Sequence, residues 1–186
     1  MWIIIAIIVV IIVAVIIMYN SLVSARIKVD NAWSQIDVQL QRRFDLIPNF
    51  VETVKGYMAH ESETFEKIAS LRTSWANANS VSEKANLDGE LSNTLKTIMA
   101  VSESYPDLKA NQNFSELSEE LRNTENKISF SRQFYNDTVT MYNEKLQVFP
   151  SNIIASAFHF TPRDLFETES SEARKNVKVD FSQKAE

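Results

Sequence analysis

The sequence predicts an all-α protein, an up-and-down four-helix bundle following a single N-terminal transmembrane helix. Three observations carry this. Residues 2–19 are apolar without interruption, nine of the eighteen being isoleucine, and all 19 basic and 24 acidic residues come after them. Two Gly and four Pro supply too few turn residues for a β-sandwich or barrel. Beyond Tyr19, apolar residues recur at helical spacing almost to the end of the chain. The predicted organisation is an anchor at 1–19, a helical bundle at 20–158 and a C-terminal tail at 159–186, partly extended or disordered.

The first element is long enough to cross a bilayer. Eighteen helical residues span about 27 Å, close to the hydrocarbon thickness, and Trp2 and Tyr19 stand at the two ends, where aromatic rings act as membrane-interface anchors. A cleaved signal peptide is the competing reading, with Val23-Ser24-Ala25 as its small-residue site. The absence of a basic segment before the run and the length of the run argue for the anchor. Arg26 and Lys28 follow the span and no cation precedes it, which places the N-terminus outside and the C-terminal domain in the cytoplasm.

The first bundle helix continues from the anchor. Leu22, Val29, Trp33, Ile36, Leu40, Phe44 and Ile47 form one stripe. Pro48 ends or kinks that helix, since it lacks an N–H and crowds the preceding turn. Asn49 with Glu52 reads as a capping box for a second helix burying Val51, Val54, Met58, Phe65, Ile68, Leu71 and Trp75. The other layout is one very long helix through Pro48. Ser80 with Glu83 reads as the capping box of a third helix carrying Leu87, Leu91, Leu95, Ile98 and Val101.

Residues 107–112 read as a loop, and Asn113 with Glu116 as the next cap. The fourth helix has the clearest seam: Phe114, Leu117, Leu121, Ile128, Tyr135, Val139, Tyr142, Leu146 and Phe149, a near-heptad coiled-coil pattern about 54 Å long. Pro150 stops it. Ser151 reads as the cap of a short helix to Ala157, and Thr161-Pro162 as the start of another turn. Val177, Val179 and Phe181 alternate with charged residues, a short strand-like signal in a tail otherwise expected to fray.

The chemistry-bearing residues exclude more than they suggest. Without cysteine there is no disulfide, no thiolate nucleophile and no Cys-ligated metal. The two histidines fail both helical metal motifs: His60-Glu61 lacks the second His, because Thr64 stands there, and neither His60 nor His159 has a Glu three residues before it. His60 reads as a surface residue. Two glycines allow no phosphate-cradling loop, and a net charge of −5 without a basic cluster argues against nucleic acid as a partner. No cofactor, no metal and no catalytic residue is expected. Two charged clusters remain. Arg42, Arg43 and Asp45 lie near the end of the first bundle helix, with Arg42 and Asp45 spaced to pair along it. Glu125, Lys127 and Arg132 lie midway along the fourth. They read as a solvated surface with local pairs or as a network between helices or subunits. Trp33 and the outer residues Phe130, Phe134 and Met141 fit a core or a neighbouring subunit.

Ordered words along the chain resemble the LemA family of bacterial membrane proteins. They are Tyr19-Asn20-Ser21-Leu22-Val23, Ala32-Trp33-Ser34-Gln35-Ile36-Asp37, Arg42-Arg43-Phe44-Asp45-Leu46-Ile47-Pro48-Asn49 and Tyr105-Pro106-Asp107-Leu108-Lys109-Ala110-Asn111. Thr124-Glu125-Asn126-Lys127-Ile128, Arg132-Gln133, Tyr135-Asn136 and Phe149-Pro150-Ser151-Asn152 complete them. The resemblance implies a short outer tail, one helix through the inner membrane and a cytoplasmic helical bundle. The family also includes a magnetosome protein linked to forming an internal membrane, which implies a role in organising membranes. The pattern departs at Phe158-His159-Phe160, where Gly is expected between the aromatics.

The function expected is that of a membrane-anchored, non-enzymatic scaffold. Its partners are the lipid bilayer, further copies of itself as a homo-oligomer, and another membrane or cytoplasmic protein. The alternative is a small-ligand receptor or enzyme with a pocket of carboxylates and Arg inside the bundle, built on Arg42, Glu125 and Arg132.

Overall fold

A computed structural model describes residues 1–58 and 62–167. These are all-α: α1 (Trp2–Lys55), α2 (Ser62–Asn77), α3 (Val81–Ser102), α4 (Pro106–Lys109), α5 (Gln112–Gln147) and α6 (Ser151–Ala157). His60 and the alternation at Val177, Val179 and Phe181 lie outside the described residues.

The two layouts open at Pro48 resolve into the long one, because α1 runs 54 residues with Pro48 inside it. The reason is visible in the packing. Leu22, Ala25, Val29, Ala32, Ile36, Leu40, Phe44, Ile47, Phe50 and Val54 are all buried. They step by three or four through Pro48 without a change of phase. Burial of that stripe on both sides outweighs the one hydrogen bond a mid-helix proline removes, a penalty of about 3 kcal/mol. Asn49 therefore caps nothing, and its carbonyl accepts from Thr53 Oγ1 within the helix at 2.8 Å. The break comes instead at Gly56–Met58, where Tyr57 and Met58 both donate their N–H groups to the Val54 carbonyl.

The later caps follow local chemistry. The Ser80–Glu83 capping box forms as expected, each residue's side chain accepting from the other's backbone N–H. The expected 107–112 loop contains the single turn α4, which starts at Pro106 and buries Leu108. Asn111, rather than Asn113, caps α5 by accepting from the Phe114 N–H at 3.1 Å. Ser151 does not cap α6. Its hydroxyl contacts the Lys145 and Val148 carbonyls at the end of α5, at 2.6 and 2.9 Å.

α6 ends in a Schellman motif. Phe160 donates its N–H to the Ala155 carbonyl at 2.9 Å, and His159 donates to Ser156 at 3.3 Å. His159 has φ 57°, the left-handed conformation, at the position where glycine was expected. A side chain costs about 1 kcal/mol or more there. His159→Gly is therefore expected to stabilise the domain by about 1 kcal/mol, and His159→Ala to give no gain, measured by thermal unfolding in detergent.

Tertiary packing pairs the elements. α5 runs antiparallel to α1, with Arg43 beside Glu125 and Ser21 beside Lys145. α2 and α3 form a helical hairpin over that pair. One core is drawn from α1, α2, α3 and α5; within it Phe44 stacks on Trp75 and Phe50 on Phe114, at 4.3 and 5.8 Å between ring centres. A second, smaller cluster joins Leu22 of α1 to Ile154 and Ala155 of α6.

No helical turn follows Thr161-Pro162; residues 161–167 are extended along α5. Two Tyr-Asn pairs, one heptad apart, hold them. Tyr142 and Tyr135 donate their hydroxyls to the carbonyls of Thr161 and Asp164, at 3.0 and 2.9 Å. Asn143 and Asn136 each accept a backbone N–H and donate to a carbonyl, of Arg163 and of Phe166 respectively. Phe166 is thereby buried against Trp33.

Candidate functional site

The strongest concentration of polar groups is inside the domain. Arg43 lies on the α1 stripe between Leu40 and Ile47, so the helix carries its guanidinium into the core, where it is 0% exposed. Asp88 of α3 is equally buried between Ala85 and Leu91. Arg43 Nη2 donates to Asp88 Oδ1, and also to the Asp88 backbone carbonyl at 3.2 Å. Arg43 Nη1 donates to Glu125 Oε2 at 2.5 Å and to Ser92 Oγ at 2.8 Å. The second Asp88 oxygen accepts from Arg132 Nη2 of α5 at 2.9 Å. Ser92 in turn donates to Glu125, 3.1 Å from Oε1. Two cations and two anions thus tie α1, α3 and α5 together, with Arg132 and Glu125 reaching solvent at the rim.

The charge state follows from donors and acceptors. A guanidinium only donates, so Asp88, bonded to one through each oxygen, is held as a carboxylate. Burial pushes its pKa above the ordinary value; Arg43 and then Arg132 pull it back, and Glu125 opposes them. Arg43 Nε and Arg132 Nε are buried without hydrogen-bond partners. The charges of the network are thus paired with one another across α1, α3 and α5.

The other anticipated residues separate by position. Arg42 pairs with Glu120 of α5 at 2.7 Å, and Asp45 accepts from Gln41 at 2.9 Å, so the expected local Arg42–Asp45 pair is replaced. The cause is the reach of Arg42 across to α5. Lys127 is exposed and lines a shallow surface hollow of about 290 Å³ with Arg42, Glu116 and Glu119. Trp33 lies against Tyr135 and Phe166, at 5.6 and 6.1 Å between ring centres. Trp2 stands exposed at the far end of α1, while Tyr19 sits 4.8 Å from the Phe158 ring. Phe130, Phe134 and Met141 point away from the core and are 75%, 53% and 65% exposed.

Sequence reading missed Asp88, Ser92 and Lys84. The signal for Asp88 was present: it stands on the apolar stripe of its own helix, three residues from Ala85 and from Leu91. Lys84 donates to Asp37 at 2.5 Å and lies over the rings of both Trp33 and Trp75, 5.5 and 5.2 Å from their centres. A larger concavity is elsewhere, an open groove of about 620 Å³ between α1 and α2, lined by Ile47, Pro48, Val51, Phe65 and Ile68. Its charged residues are Glu52 and Arg72, so the polar residues of the network stand outside it.

The LemA family profile matches residues 32–181, most of the chain. The chain belongs to the LemA family. It is 26% identical over 165 residues to Protein LemA of Metamycoplasma hominis, covering 88% of this chain and 74% of that protein. It is also 26% identical over 175 residues to Magnetosome proteins MamQ 1 and MamQ 2 of Paramagnetospirillum magneticum, covering 80% of this chain and 64% of theirs. The words that carry the LemA resemblance now have structural roles. Arg42-Arg43 and Thr124-Glu125 meet across α1 and α5, Arg132 completes the network, and Tyr135-Asn136 clasps the extended segment. The family assignment agrees with a membrane-associated protein: α1 has an 18-residue window of mean hydropathy 3.4, none of it buried in the domain.

Proposed function

We propose that this LemA-family protein is a membrane-anchored, non-enzymatic scaffold whose helical domain self-associates at the cytoplasmic face of the inner membrane, with the N-terminus outside. The observation that carries the reading is the continuity of α1. Its N-terminal half exposes an unbroken apolar surface, and its C-terminal half is the spine of the domain core. A helix without a hinge fixes the domain's orientation to the bilayer, which suits an element that spaces or shapes a membrane. Internal pairing of Arg43, Asp88, Glu125 and Arg132 supports a structural rather than catalytic use of those groups.

The proposed self-contact is the outer face of α5. Phe130, Phe134 and Met141 share one helical stripe and are all exposed. Full-length protein in mild detergent is expected to give a defined oligomer by native mass measurement. Phe130→Asp with Met141→Asp is expected to reduce it to a monomer without changing its helical content. A wild-type monomer in detergent and in nanodiscs would overturn self-association.

A further inference from the structure

The α5–α6 corner, residues 148–158, stands beside the exit of α1 from its apolar run. Lys145 donates to Ser21 at 3.2 Å, which fixes the register of antiparallel α5 on α1. Phe149, just past the end of α5, therefore lies near the C-terminal end of that run. Val15 and Met18 of α1 pack on the cluster that contains Ile154 and Ala155 of α6. The opposite face of the corner is uncovered: Phe149, Ile153 and Phe158 are 79%, 58% and 53% exposed.

We propose that this corner is a second bilayer contact, with Phe149, Ile153 and Phe158 seated in the headgroup–acyl boundary of the leaflet from which α1 emerges. The inference rests on the reading that the apolar half of α1 spans the membrane. Three observations select lipid as the occupant. The surface is continuous with the exposed apolar surface of α1. No Asp, Glu, Lys or Arg occurs from Leu146 to Pro162. Cations flank that stretch: Lys145 before it, Arg163 after it, and Arg26 and Lys28 on the adjoining α1. The nearby acids are Glu144, Asp30 and Asp164, and Asp30 is paired with Arg163 at 2.9 Å. The corner also has few free backbone groups to desolvate, since Ser151 meets the last carbonyls of α5 and the Schellman motif closes α6. An interfacial patch beside a membrane helix resists tilting of the domain, because tilt would lift these side chains into water.

The chain has no cysteine, so single-cysteine variants label at one position. Full-length Phe149→Cys, Ile153→Cys, Ile8→Cys and Phe130→Cys would carry an environment-sensitive fluorophore in vesicles of phosphatidylcholine and phosphatidylglycerol. Quenching would come from shallow and deep spin-labelled lipids. Phe149→Cys and Ile153→Cys are expected to be quenched by the shallow label several-fold more than Phe130→Cys, which lies about 28 Å back along α5. Ile8→Cys is expected to respond to the deep label. Quenching at Ile8→Cys with none at Phe149→Cys and Ile153→Cys would overturn the corner contact and leave the anchor standing. No quenching at Ile8→Cys would remove the anchor and the proposal together. Equal quenching at Phe130→Cys would mean that the whole domain lies on the surface, and would also overturn it.

Discussion

Arg43→Ala is expected to destabilise the helical domain by about 3–5 kcal/mol, the largest effect of any single substitution proposed for this protein. Removing the guanidinium leaves the Asp88 carboxylate fully buried, with Arg132 as its one remaining cation, and opens a cavity between α1 and α3. An uncompensated buried charge is costly because the interior does not solvate it. The double variant Arg43→Met with Asp88→Leu removes both charges and refills the volume. It is expected to recover most of the loss, falling within about 1–2 kcal/mol of wild type, because apolar replacement of a buried pair is often neutral. Glu125 and Arg132 then rely on the solvent they already reach. Thermal and urea unfolding of the full chain in mild detergent checks both outcomes. If the double variant is no more stable than Arg43→Ala, the network's value lies in directional bonds rather than in charge balance.

Asn136→Ala is expected to cost about 2–4 kcal/mol. The side chain amide accepts from the Phe166 N–H at 2.8 Å and donates to its carbonyl at 3.3 Å, so the substitution leaves a buried residue's backbone unpaired. It also frees the Phe166 ring, which Arg132 covers at 5.3 Å from the ring centre. Burying a phenylalanine contributes about 1.5–3 kcal/mol. Asn143→Ala makes the same exchange at an exposed position and is expected to cost about 1 kcal/mol. Hydrogen exchange separates the two: the Phe166 amide should lose protection in Asn136→Ala and keep it in Asn143→Ala.

Alkali should act on the same clasp. Burial raises the hydroxyl pKa of Tyr135 and Tyr142 above 10.0. The protonated form is the one that donates to the segment, so proton binding favours the folded state. The stability is fully present below about pH 10 and is lost as pH rises through the raised native values. Protection at residues 161–167 should fall in that window.

The stripes were legible because burial in a helix imposes a 3.6-residue period whatever the partner. Leu22, Val29, Ile36, Leu40, Phe44 and Ile47 are all core residues, and Ser80 with Glu83 forms its capping box from groups three residues apart. Errors arose where two local solutions had similar chemistry. Asn113 has Glu116 three residues on and Asn111 has Phe114, so the box pattern favours Asn113, while the actual start of α5 makes Asn111 the cap. Asp88 was hidden because charge is normally a sign of surface; its partners stand 45 and 44 residues away in the chain.

By itself the sequence determined the helical class, the exposed apolar segment, the family and the face of each long helix. Those properties are set by residues within a few turns of one another. The tertiary structure decided that α1 continues through Pro48, since a lost hydrogen bond is tolerated only when a stripe on both sides is buried. It decided that Arg43 and Asp88 belong to the interior, since a charge enters a core when opposite charges from other helices meet it. It also decided that residues 161–167 are held, because the carbonyls that accept from Tyr135 and Tyr142 become available only once the chain has turned back along α5.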